Sequence, residues 1–145
     1  NNADVVSLKS FDEIRISEGI PRIGVDYNVG SLPQEVCLAD HISYQKGCYI
    51  GQETHSRMFY RGHANWLTVW LHVPKNVNAN VGDSLYYDSK DVGKITSLGS
   101  FEMKGFFWGI GMIKNDVAKE KIMLSLKGIK LPVIRQKAIP FRKEK

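Results

Sequence analysis

The sequence predicts an α+β chain: the tail segment of a larger α/β domain, followed by a C-terminal antiparallel β-barrel. Three observations point there. Residues up to about 60 read as short helices around a Gly/Pro-rich loop, whereas from His63 onward the apolar period falls to two, with turn residues between short runs. The first sixty or so residues are too few to enclose a core of their own. The chain also starts without a methionine, as the C-terminal portion of something longer would. A boundary near Gly62–Ala64 then divides it into residues 1–62 and 63–145.

The elements follow in order. Phe11 to Ile16 reads as a short helix stopped by Gly19 and Pro21. Residues 21–33 are loop, and Pro33 to Asp40 form a helical turn with Val36, Leu38 and Ala39 inward. Ile42-Ser43-Tyr44 reads as a short extended piece. A helix opens at Gln52 and ends near Phe59-Tyr60, with Gly62 as its cap. Then Trp66, Thr68, Trp70 and His72 alternate with Leu67, Val69, Leu71 and Val73 in a strand that Pro74 ends. Ser84–Tyr87 and Val92–Leu98 are strands around the turn at residues 88–91. Phe106–Ile113 is a strand whose Gly109 and Gly111 imply tight packing, and Lys121–Leu126 and Ile129–Arg135 flank the hairpin turn Lys127-Gly128. Short antiparallel strands of this kind close into a small barrel.

At 43% hydrophobic and 24% charged the composition is globular, and no apolar run approaches the ~20 residues of a membrane span, so no membrane partner is expected. Two cysteines are too few for a disulfide framework, which suits a reducing compartment: the cytoplasm, or the mitochondrial matrix in a eukaryote. Charge is uneven. Residues 1–60 carry five Lys/Arg against eight Asp/Glu, and residues 61–145 carry fifteen against seven. The basic half suits weak, non-specific nucleic-acid contact, although its lysines are spread as on a solvated surface.

Chemistry concentrates in Lys46-Gly47-Cys48-Tyr49-Ile50-Gly51-Gln52-Glu53, with Arg57 four residues on. Glycines on both sides of Cys48 let the backbone bend and expose the thiol. The helix start that follows and Lys46 nearby would favour the thiolate. A small buried apolar cysteine is the alternative. Glu53 and Arg57 share a helix face and can pair. Cys37, His41, Cys48 and His55 lack the spacing of a structural zinc site, so no metal is expected. His55, two helical turns on, is too far along the axis for a Cys–His pair, and His63 depends on the fold. No nucleophile elbow, P-loop or dinucleotide fingerprint occurs.

The run from Lys46 to Glu53 with Arg57 resembles the signature of the YgfZ-type folate-binding proteins, of the glycine-cleavage T-protein (aminomethyltransferase) superfamily. Arg15-Ile16-Ser17-Glu18-Gly19-Ile20-Pro21 is similar to that superfamily's Arg-Ile-Glu-x-Gly-x-Pro segment, with Ser17 where the acidic residue usually stands. Asp26-Tyr27 and Leu32-Pro33-Gln34-Glu35 follow at the matching distances.

The resemblance implies that residues 1–62 are the C-terminal part of a folate-binding domain and that the chain ends in a β-barrel. It implies tetrahydrofolate as cofactor, with Arg15, Tyr27 and Glu35 as contacts and much of the pocket outside this chain. It further implies a role in iron–sulfur cluster assembly or repair, with client or assembly proteins as partners. Cys48 would be the reactive centre, supported by Lys46, Gly47, Tyr49, Gly51, Gln52, Glu53 and Arg57. Arg15 suits a folate carboxylate or an internal ion pair equally.

Two other readings differ in class. A true aminomethyltransferase would resemble Phe-x-Gly-Arg/Lys-Glu at the signature, without Cys48 and Gln52. A basic RNA-binding barrel would expose aromatic rings between its cations. Trp66 and Trp70 are the candidate rings, expected instead in the barrel core or at a domain interface.

Overall fold

The computed structural model describes residues 5–117 and 122–134. Helix α1 (Leu8–Ser17) begins three residues earlier than its apolar pattern suggests. Ser7 caps it, its hydroxyl accepting from the Ser10 N–H at 3.1 Å. The chain leaves α1 through Gly19, at φ +67°, as expected from its breakers. Turns follow, then a short 3-10 helix at Ala39–His41. Residues 42–44 form no strand: Tyr44 instead stacks on Phe59 at 4.2 Å. Helix α2 (Gln52–Arg61) carries Phe59 and ends at Gly62, which is extended rather than left-handed.

Among the described residues six strands follow: β1 (Trp66–Pro74), β2 (Ser84–Tyr87), β3 (Lys90–Met103), β4 (Phe106–Lys114), β5 (Met123–Leu126) and β6 (Ile129–Ile134). They close in the order β1-β4-β3-β2-β5-β6, every pair antiparallel, which leaves no open edge. Lys121 and Arg135, expected at strand ends, lie outside the described residues. β3 runs five residues past Leu98, through a register shift between Leu98 and Glu102.

The interior is aliphatic. Leu71, Leu85, Ile95, Ile113, Leu124 and Leu131 are wholly buried, each contributing about 1.5–3 kcal/mol by leaving water. Gly111 faces this core: a Cβ there would stand 3.0 Å from a Leu85 methyl and 3.1 Å from a Leu71 methyl. Close packing is what the glycines of β4 implied.

The tryptophans of β1 are not in that core. Strand alternation sends Leu67, Val69, Leu71 and Val73 inward, so Trp66 and Trp70 stand on the outer side. Trp70 is covered there. Its ring stacks on Trp108 at 4.1 Å, and its indole N–H donates to the Ile16 carbonyl at 3.0 Å. α1 and the turns after it thus clasp the barrel wall. Thr68 donates to the Glu35 carbonyl from both its N–H (2.8 Å) and its hydroxyl (3.0 Å).

Candidate functional site

The loop before α2 is shaped by its own residues. Gly51 caps the helix at φ +86°, a conformation that strains any residue with a Cβ. Gln52 closes the turn twice: its N–H donates to the Tyr49 carbonyl at 3.2 Å, and its side-chain oxygen accepts from the Tyr49 N–H at 3.4 Å. The Tyr49 ring turns inward toward His55, with centroids 6.4 Å apart, while Cys48 and Ile50 on either side point to solvent. Cys48 is therefore an exposed thiol in a tightly folded turn. Of the two glycines near it, Gly51 is the one whose conformation requires glycine. Gly47 is not among the positive-φ residues, and its missing Cβ borders open space.

Lys46 lies with its ammonium 4.7 Å from the centre of the Tyr49 ring, a cation–π contact. Glu53 and Arg57 meet at 3.5 Å on the exposed face of α2, where solvent screening leaves such a pair worth little. The signature thus separates into Gly51, Gln52, Tyr49 and Lys46, which build the turn, and Cys48, which the turn presents.

Gln34 was not singled out by its residue type, yet it ties this turn to the rest. It is buried, and its side-chain amide lies within hydrogen-bond reach of His55 Nδ1, 3.2 Å from the nitrogen and 3.3 Å from the oxygen. The same amide nitrogen donates to the Tyr44 hydroxyl at 3.4 Å, and burial raises the Tyr44 pKa above its ordinary 10.0. Its sequence signal is Leu32-Pro33-Gln34-Glu35, in which the amide stands next to the titratable Glu35.

Arg15 is committed internally. It is 4% exposed, and its guanidinium donates to Asp12 (2.5 Å), Asp26 (2.7 Å) and the Ser97 hydroxyl (2.9 Å). Asp26 is as deeply buried and also accepts from the Arg22 N–H (2.9 Å), the Thr96 hydroxyl (2.6 Å) and the Ser97 hydroxyl (2.7 Å). Between the two uses open to Arg15, the structure displays the internal ion pair. A cavity of about 550 Å³ lies beside it, lined by Lys9, Arg22 and Ser100 among others. Tyr27 is half-buried and its carbonyl accepts from the Gly24 N–H at 2.7 Å; the Glu35 carboxylate accepts from the Leu32 N–H at 3.1 Å. Among the described residues no hydrogen bond, ion pair or ring contact joins Arg15, Tyr27 or Glu35 to the Cys48 turn.

Cys37 contrasts with Cys48. It is half-buried, its thiol donates to the Thr68 carbonyl at 3.7 Å, and burial pushes its pKa up to about 11. Among the described residues no group of three or more His, Cys, Asp or Glu is placed to hold a metal ion. No described helix is long and apolar enough to cross a membrane.

Comparison with known proteins gives the family. No family model matches. The tRNA-modifying protein YgfZ of Yersinia enterocolitica is 28% identical over 128 residues, covering 85% of this chain and 39% of that protein. The tRNA-modifying protein YgfZ of Photobacterium profundum is 41% identical over 64 residues, 43% of this chain and 20% of that one. The chain is a YgfZ-type member of the aminomethyltransferase-fold superfamily.

Among solved structures, the glycine cleavage system aminomethyltransferase T from Bartonella henselae superposes with a TM-score of 0.69. It is 17% identical and covers 88% of this chain and 37% of that one, a likeness of fold. The chain spans about two-fifths of the length of the Yersinia YgfZ protein.

Proposed function

We propose that this chain is the C-terminal part of a tetrahydrofolate-binding YgfZ-type protein that assists iron–sulfur cluster assembly or repair through Cys48. The observation that carries the reading is the Cys48 turn, in which Tyr49, Gly51 and Gln52 fold the backbone so that one thiol is presented to solvent. Iron or a cluster is cargo in this reading, and the thiolate is its transient ligand. The name of the YgfZ relatives brings tRNA modification into the proposal as the process served. Site of action would be the cytoplasm, or the matrix of a mitochondrion.

The domain division at residues 62 and 63 belongs to the same proposal. α1 turns Leu8, Phe11 and Ile14 outward, 67%, 49% and 57% exposed, at positions three apart on one side of the helix. An apolar stripe facing water on a helix whose other side holds ion pairs is what a domain remnant shows when its larger partner is absent. Arg15 then acts by holding the segment on which Tyr27 and Glu35 stand, and those two face the rest of the folate domain.

The test is Cys48→Ala in the full-length protein. The variant should fail to complement a null strain, keep its melting temperature within a degree or two of the parent, and still bind tetrahydrofolate by calorimetry. Normal complementation would show that the thiol is dispensable.

A further inference from the structure

The two outward tryptophans of β1 have different fates, and the difference marks a second site. Trp70 is closed off by α1 and Trp108. Trp66 is 39% exposed, has no ring partner among the described residues, and walls an open groove of about 380 Å³ with Met112, Lys94, Gly93, Ser84 and Asp91. That volume lies within the small-ligand range of about 300–1,000 Å³.

Strand register explains the lining. Trp66 pairs with Lys114, Met112 pairs with both Thr68 and Lys94, and Lys94 pairs with Ser84. Directly opposed residues share a face, so the ring, both lysines, the methionine and the serine all stand on the outer wall. An exposed indole near a polarizable thioether offers a stacking surface, with Lys114 on the adjacent strand β4 and Lys94 on the next strand β3. Asp91 is the one carboxylate of the lining, and it repels a phosphate while accepting from a hydroxyl.

We propose that this groove takes a base of single-stranded RNA stacked on Trp66. Lys94 and Lys114 meet the flanking phosphates, and Ser84 and Asp91 face the ribose 2′-hydroxyl. RNA is favoured over a protein or a free base because stacking, two flanking cations and a hydroxyl acceptor are the separate needs of base, backbone and ribose. The site is independent of the Cys48 turn and of folate.

The experiment is anisotropy of a labelled short single-stranded RNA, and of the matching DNA, titrated at two salt concentrations with this chain and its variants. Trp66→Ala should weaken RNA binding by about ten- to a hundredfold at both salts. Trp66→Phe, which keeps a ring, should stay within about fivefold of the parent. Changing Lys94 and Lys114 to Gln together should flatten the salt dependence. Melting curves check the fold, and Trp66→Leu takes the place of the alanine variant if that one fails to melt cooperatively. RNA affinity of the alanine or leucine variant within twofold of the parent, or equal to that of the phenylalanine variant, overturns the stacking site. DNA bound as tightly as RNA overturns the ribose assignment.

Discussion

Asp26 and Ser97 lie seventy-one residues apart in sequence and are joined by a hydrogen bond of 2.7 Å. With Arg15 between them, 2.7 Å from the carboxylate and 2.9 Å from the hydroxyl, they form a buried triad that pins the N-terminal segment to strand β3.

Asp26→Asn should therefore be costly. It leaves the Arg15 guanidinium buried with the more exposed Asp12 as its remaining carboxylate, and loss of one partner of a buried pair costs about 3–5 kcal/mol. Urea unfolding of the parent and variant measures this. A loss below about 1 kcal/mol would mean that the triad is hydrated and adds little.

The cysteines should react at very different rates. Cys48 is exposed, whereas Cys37 is half-buried with its pKa raised by desolvation to about 11. Alkylation at neutral pH, followed by mass spectrometry of the peptides, should label Cys48 first by a wide margin. Cys37 should be labelled only near its raised pKa or on unfolding. Equal rates would contradict the burial of Cys37.

Stability should fall in two stages as pH drops. Burial holds His72 below its ordinary 6.5, with its Nε2 unpartnered among the described residues and its ring stacked on Phe106 at 4.2 Å. Just below pH 6.5 the unfolded chain takes a proton that the folded one refuses, so stability declines until the folded value is passed. A second decline begins near 4.5. Burial alone would raise the Glu13 pKa, but hydrogen bonds from the Ser100 hydroxyl and N–H and the Phe101 N–H outweigh it and hold the value down. Asp12 is held below 3.8 by its hydrogen bond from Arg15 first, with burial opposing. Melting temperatures from pH 7 to 3 should show both stages. His72→Gln should remove the first and Glu13→Gln should reduce the second; a parent curve flat down to pH 5 would remove the His72 assignment.

How legible this was from the sequence depends on how local each signal is. β1 announced itself through strict alternation, and Lys127-Gly128 marked its hairpin, with both residues at positive φ. The far half of β3 did not, because the shift between Leu98 and Glu102 breaks the period of two. Alternation also says that two faces exist without saying which is inside, and that is why the core stood beside an interface as the expected place of Trp66 and Trp70: both stand on the outer wall, Trp70 against α1 and Trp66 half-exposed. The Cys48 turn was visible because all its determinants lie between Lys46 and Gln52. The partners of Arg15 were not, since Asp26 and Ser97 meet it only after the barrel has brought distant segments together.

The shift in β3 has a consequence for the order of assembly. Gly99 is bare where the Glu13 carboxylate arrives, a Cβ there standing 3.0 Å from Glu13 Oε2, and that carboxylate accepts from the Ser100 N–H at 2.8 Å and the Phe101 N–H at 3.3 Å. The hairpin of β3 and β4 can zip on either side of this stretch from near-neighbour contacts, but its middle waits for a helix nearly ninety residues upstream. Docking of α1 is then a late event, and the carboxylate serves as its latch. Glu13→Ala should accelerate unfolding in stopped-flow experiments while leaving the folding rate almost unchanged. An equal effect on both rates would place the helix in the folding nucleus instead.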